Sequence, residues 1–189
     1  MNPKTSHFPL CVDLDGTLVC NDTSWKSFYA LLKKNPFFLL KVPFHLIKGR
    51  AYLKQQISKY VQLPISDFTF HPDFLTWLKE QKKQGRELAL VTGADQSVAE
   101  TVANHLKIFD HVFASDGKIN LTGKNKKAKL VAHYGEKKFA YAGNSFVDLA
   151  VWPYAAEAIV VNAHPNVLEK ARKTSSVTHV FKTHLLRTH

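Results

Sequence analysis

Leu10-Cys11-Val12-Asp13-Leu14-Asp15-Gly16-Thr17-Leu18 is the stretch that decides the fold. An apolar run leads straight into two carboxylates spaced two residues apart, and a glycine follows at once. A strand alternates its side chains, so Asp13 and Asp15 share a face if the strand runs on. Gly16 lets the backbone turn away without a steric cost. The pattern predicts a buried strand that delivers two acids at its carboxyl end, where open α/β sheets place their ligands. Paired carboxylates suit an oxygen-seeking cation such as Mg²⁺ together with a phosphate.

Working outward, short apolar segments alternate with amphipathic ones. Strands are expected at Leu10–Asp13, Glu87–Thr92, His111–Ala114, Phe139–Ala142 and Ala158–Val161. Their brevity and continuous hydrophobicity suit a parallel sheet buried on both faces. Helices are expected at Asp73–Gln84, Gln96–Leu106, Lys126–His133 and Val147–Ala156, with Gly85 stopping the first. The fold class is therefore α/β, a parallel sheet flanked by helices.

Residues from about 22 to 70 break this rhythm. Asp22 or Thr23 is placed to cap a helix in which Trp25, Phe28, Tyr29 and Leu32 recur at helical spacing. Pro36 opens a second helix through Ile47 and Ala51–Val61 forms a third. The aromatics at amphipathic spacing are expected to form the core of this layer, with stacking on an aromatic ligand as the sharper alternative. Aromatics and lysines over Asn35–Arg50 also fit a helix lying on a membrane surface.

Two further strand ends carry chemistry. Val91-Thr92-Gly93 offers a hydroxyl and an amide that can hold a phosphate oxygen ahead of a helix N-terminus. Ala142-Gly143-Asn144 supplies an amide oxygen directly after a strand, and Asp148 adds an acid four residues on.

Taken together and in this order, these motifs resemble the haloacid dehalogenase (HAD) superfamily. Its first motif, D-x-D-x-T, is met by Asp13, Asp15 and Thr17, its second by Thr92, and its metal-binding loop by Asn144 and Asp148. The resemblance implies a third-motif lysine, for which the G-x-x-K spacing from Gly123 selects Lys126, with Lys124 and Lys127 as alternatives. It further implies a Rossmann-like core at 1–21 and 71–189 and a small helical C1-type cap at 22–70. Many members carry Asp where Asn144 stands; asparagine keeps the oxygen ligand but loses the charge. More narrowly, Cys11–Thr23, the basic-aromatic cap and Tyr141–Leu149 are similar to the HAD-type domain fused to UbiA-like prenyltransferases. No such spans follow here, which fits a stand-alone domain or a fragment.

The resemblance implies a Mg²⁺-dependent phosphatase acting through an aspartyl-phosphate: Asp13 as nucleophile, Asp15 as acid and then base, and Thr92, Gly93 and Lys126 on the phosphoryl oxygens. It places the metal on Asp13, Asp15, Asn144 and Asp148. Asp15 favours phosphoryl transfer over dehalogenation, because an alkoxide leaving group needs a proton. The substrate is expected to be a small phosphometabolite or a phosphorylated protein side chain such as phosphotyrosine. The alternative is a catalytically weakened domain that binds a membrane surface or a protein.

Composition sets the outer bounds. The 189 residues fit one domain with a lid, and 45% hydrophobic content is enough for a core. Net charge is +11, with lysines clustered at 33–54 and 124–138. Such charge favours anionic partners, and solvated faces around a phosphate site explain it more simply than a nucleic-acid surface, for which no motif appears. Two cysteines, Cys11 and Cys20, are read as reduced thiols. With no signal-peptide pattern at Met1–Phe8 and no stretch long enough to cross a bilayer, a cytoplasmic location is expected. Ten histidines form no H-x-H or H-x-x-x-H pair, which leaves a zinc site without support. Nothing in the sequence sets an oligomeric state.

Overall fold

The computed structural model describes residues 8–182; the first seven residues, on which the signal-peptide reading rests, lie outside them. Six strands form one parallel sheet: β1 (Leu10–Val12), β2 (Leu88–Asp95), β3 (His111–Ser115), β4 (Ala140–Gly143), β5 (Glu157–Val161) and β6 (Val177–Phe181). Their spatial order is β3-β2-β1-β4-β5-β6. This is the doubly wound Rossmann order, so the chain's direction of travel reverses between β1 and β4 and opens a crevice beyond their carboxyl ends. Register brings Val12 beside both Leu90 and Ala142. The residue after Val12, Asp13, therefore emerges between the motif loops that follow β2 and β4.

Helices α4 (Pro72–Lys83) and α5 (Gln96–Leu106) cover one face of the sheet, and α6 (Gly123–Tyr134) and α7 (Pro165–Thr174) cover the other. The central strands are apolar throughout because both faces are covered: Leu10, Val12, Leu88 and Leu90 pack on one side, Cys11, Ala89, Val91 and Tyr141 on the other.

Between β1 and α4 lie α1 (Thr23–Lys34), a 3₁₀ segment at Pro36–Lys41, α2 (Val42–Ile47) and α3 (Arg50–Tyr60). Asp22 is the N-cap of α1, its carboxylate accepting from Ser24 and Trp25 amides, a cap worth about 1 kcal/mol. The expected single helix at 36–47 is broken in two, with Pro43 in the first turn of α2, where the missing N–H costs nothing. The buried stripe of α1 is Thr23, Ser27 and Leu31. Small residues there let the helix approach closely, and Ser27 Oγ is satisfied by donating to the Thr23 carbonyl at 2.9 Å. The expectation that Trp25 and Tyr29 are cap core is therefore overturned: they are 69% and 63% exposed. The cap's own core is a small cluster of Leu31, Phe38 and Ile57, flanked by Phe28, Val42 and Leu53.

The helix expected at Val147–Ala156 is instead two 3₁₀ turns, Phe146–Ala150 and Trp152–Tyr154. Pro153 cannot donate into a continuing helix, and the Ser145–Asp148 capping box tightens the first turn.

Candidate active site

The cleft lies at the carboxyl ends of β1 and β4. It encloses about 430 Å³ and is lined by Asp13, Asp15, Gly93, Lys126, Asn144 and Asp148 among others. It brings together all the expected site residues except Thr92.

Asp13 sits one residue past β1, its amide donating to Ala142 carbonyl at 3.0 Å across the switch point. One carboxylate oxygen accepts from Lys126 Nζ at 2.6 Å, the other from Thr17 Oγ1 at 3.3 Å. Burial pushes the Asp13 carboxyl up, with Lys126 acting against that shift and Asp148 reinforcing it. Lys126 is almost fully buried (3% exposed) on the first turns of α6. Burial alone would lower its pKa, but Asp13 and Asp148 more than offset that and hold the ammonium charged. Lys124 is exposed and Lys127 Nζ sits over the Tyr154 ring at 4.7 Å. Of the three lysines the sequence left open, Lys126 is the one bonded to Asp13.

Asp15 faces the same cleft, with Oδ1 accepting from the Thr23 amide at 2.8 Å. Burial raises its pKa, and the Thr23 hydrogen bond opposes the shift. Gly16 adopts φ +74°, and a Cβ there would fall 2.1 Å from Asn144 Nδ2. Glycine therefore serves twice: it takes the left-handed turn and lets the β1 and β4 loops meet.

The β4 loop is built around Asp148, which is 2% exposed. Its Oδ1 accepts from Tyr141 Oη at 2.6 Å; its Oδ2 accepts from the amides of Asn144 and Ser145 at 3.0 and 2.9 Å and from Ser145 Oγ at 2.8 Å. Three of these bonds converge on Oδ2, and Oδ1 takes one, which leaves it a second acceptor site. Asp148 thereby orders the loop that presents Asn144, while itself lining the cleft. A Cβ on Gly143 would lie 2.7 Å from the Asp148 carboxyl carbon, so only glycine admits this packing.

Thr92 lies just behind the cleft lining. It is fully buried, and its Oγ1 accepts from the Ala94 amide at 2.9 Å, while Gly93 lines the cleft. Thr92 shapes the turn that presents Gly93.

Two participants escaped the sequence reading. Tyr141 Oη accepts from Lys126 Nζ at 2.8 Å while donating to Asp148, linking Asp13, Lys126, Tyr141 and Asp148 in one chain. Its apolar neighbours in β4 gave it the look of a core residue. Lys54, from α3, reaches across to the Gly93 carbonyl at 2.7 Å. Burial lowers its pKa, with Asp15 and Asp22 acting against that shift. Nothing in the local sequence separates Lys54 from the cap's other lysines.

Among the described residues, no three His, Cys, Asp or Glu side chains converge as a metal cluster. The oxygen donors lining the cleft are the Asp13, Asp15 and Asp148 carboxylates and the Asn144 amide oxygen. They are hard ligands, as Mg²⁺ prefers, and too few to complete six-coordination without water and substrate, as is usual for Mg²⁺. The residues fit the ion.

Residues 10–151 match the haloacid dehalogenase-like hydrolase family, and the chain belongs to it. It is 34% identical over 153 residues to the uncharacterized protein y4nM of Sinorhizobium fredii, a match covering 81% of this chain and 30% of that protein's length. Among solved structures, a HAD family hydrolase of Salmonella enterica serovar Typhi superposes with TM-score 0.65 at 17% identity, over 94% of this chain and 69% of that one. A phosphoserine phosphatase in its apo form gives TM-score 0.63 at 19% identity, covering 96% of both chains.

Proposed function

We propose that this hydrolase is a Mg²⁺-dependent phosphatase that cleaves a phosphomonoester through an aspartyl-phosphate on Asp13. The observation that carries the reading is the buried Asp13–Lys126 pair, 2.6 Å apart and facing the cleft at the sheet's switch point.

Asp13 attacks phosphorus in line with the ester bond, forming the acyl phosphate as the P–O bond to the alcohol breaks. Asp15, held by the Thr23 amide, gives its proton to the departing oxygen. It then takes a proton from the water that cleaves the acyl phosphate, releasing phosphate and restoring both carboxyls. Lys126 and the Gly93 amide hold the phosphoryl oxygens, so that positioning and fixed charge supply most of the rate. The Asp13 carboxylate, the Asp15 backbone carbonyl and the Asn144 amide oxygen would hold Mg²⁺, which supplies charge neutralisation between the nucleophile and the phosphate. Residues 22–70 act as the cap over a core formed by the rest, and Lys54 ties the two together by its bond to Gly93. The free thiols of Cys11 and Cys20 suit a reducing, cytoplasmic setting.

The test is phosphate release from p-nitrophenyl phosphate and a panel of phosphometabolites and phosphopeptides. Turnover with Mg²⁺ that stops in EDTA supports the reading; a folded protein that releases no phosphate from any of them contradicts it.

A second reading concerns where the enzyme works. Residues 23–66 hold eight cations, Lys26 through Lys59, and no acid. The same segment exposes Phe37, Leu40, Phe44 and Ile47 by 70% or more each. Apolar side chains among unopposed cations suit the surface of an anionic bilayer, although no helix among the described residues is long and apolar enough to cross one. Sedimentation with anionic but not neutral phospholipid vesicles, lost in Phe37→Glu/Ile47→Glu, is the expected result; equal behaviour with both vesicle types counts against it.

A further inference from the structure

A second cleft of about 510 Å³ continues from the phosphate cleft, and Asp22, Ser24, Lys54, Thr122 and Val147 line both. Beyond these shared residues its walls are mostly apolar, with Arg50 and Asn120 as the polar exceptions. Trp25 and Phe28 of α1, Val42 and Leu46 of α2, and Leu53 of α3 form one side, with Val147 of the β4 loop opposite. The Trp25 and Phe28 rings meet edge to face with centroids 6.0 Å apart, and Trp25, Leu46 and Val147 keep about half or more of their surface exposed. A concave apolar wall left open to water costs free energy unless something covers it, and ligand pockets of this size are lined in this way.

We infer that this annex is the subsite for the alcohol portion of the substrate, and that the substrate is an amphiphilic phosphomonoester, a phosphate carried on an apolar alkyl or aryl group. The inference rests on the phosphatase reading and narrows it. A phosphate held by Gly93 and Lys126 directs its ester oxygen toward the mouth that the two clefts share. The group bonded to that oxygen enters between Trp25 and Val147. A small polar alcohol would leave the apolar wall wet and forgo its binding energy. Continuity with the phosphate cleft selects a substrate as the occupant, ahead of a second copy of the cap, whose unopposed positive charge would repel its twin.

A series of n-alkyl phosphates tests this cleanly, because ethyl, butyl and hexyl esters have nearly the same leaving group and differ only in apolar length. Each methylene buried in the annex should raise kcat/KM about four-fold, so hexyl phosphate should exceed ethyl phosphate by at least tenfold. The matching alkyl phosphonates, which cannot be hydrolysed, should show the same trend in affinity by calorimetry, a readout that does not depend on turnover. Leu46→Asp and Trp25→Ala change exposed side chains, and each should collapse the hexyl-to-ethyl ratio in both measurements. A ratio near one in the wild type, or a steep ratio that survives both substitutions, overturns the proposal. Turnover with a flat chain-length profile would leave the phosphatase reading standing and return the annex to another occupant, such as a protein segment.

Discussion

Lys126 and Asp13 are 113 positions apart in sequence and 2.6 Å apart in space. Bringing them together takes the whole β1-β2-β3 half of the fold, because α6 follows β3 and its N-terminal turns point back at the end of β1. The ammonium serves one carboxylate oxygen and Tyr141 Oη at once, so its position is fixed from two sides.

Removal of that second tether is the mildest test of its importance. Tyr141→Phe keeps the ring packed against Trp152 and deletes only the hydroxyl between Lys126 and Asp148. Groups that orient a site from one shell out typically cost 10–100-fold when lost. A fall in kcat of about tenfold, with a circular dichroism spectrum like the wild type's, is expected. Unchanged kcat would show that Lys126 is positioned without Tyr141.

Asn144 is the natural place to tune the metal. Its backbone is fixed by Asp148 and its side chain abuts Gly16. Asn144→Asp adds a formal charge at the same atoms and should tighten Mg²⁺ binding on the order of tenfold, read as a lower half-saturating Mg²⁺ concentration by calorimetry. Unaltered affinity would remove Asn144 from the ligand set.

Stability should carry a histidine signature well away from the cleft. His71 is buried and caps α4, its Nδ1 accepting from the Phe74 amide at 3.3 Å, while Nε2 has no partner. Burial holds its pKa below the ordinary 6.5, with Asp73 acting against that shift. In the window below 6.5 the unfolded chain takes up a proton that the folded state resists. Stability is therefore fully present above 6.5, falls as pH drops through it, and levels off below the folded pKa. The buried Asp13 carboxyl, pushed up to about 7, titrates in the same window with the opposite sign, so the signature is read by difference: from pH 7.5 to 5.5 the wild type's denaturation midpoint should decline relative to that of His71→Asn, which can still cap the helix. An equal decline in the variant would assign the effect elsewhere.

Much of this architecture was legible because the central strands are buried on both faces and read as plain apolar runs ending in Asp13, Gly93 and Asn144. At the sheet's edge that signal fades. β6 leaves Thr178, His179 and Val180 exposed, so its side chains need not be apolar, and neither it nor α7 was anticipated. Within the site, the motif spacing selected Asp13, Asp15 and Lys126, which the fold brings to one cleft. The inward turn of Thr92 and the anchoring of Asp148 depend on hydrogen bonds to Ala94, Tyr141 and Ser145, which spacing does not encode. Lys54 arrives from the cap by tertiary packing alone.

The central claim is that Asp13 is the nucleophile. Phosphate release from p-nitrophenyl phosphate, measured with Mg²⁺ for wild type and Asp13→Asn, addresses it most directly. The account predicts metal-dependent turnover in the wild type and none above background in the variant, with the variant's thermal unfolding showing it folded. Turnover by folded Asp13→Asn at a rate near the wild type's would contradict it.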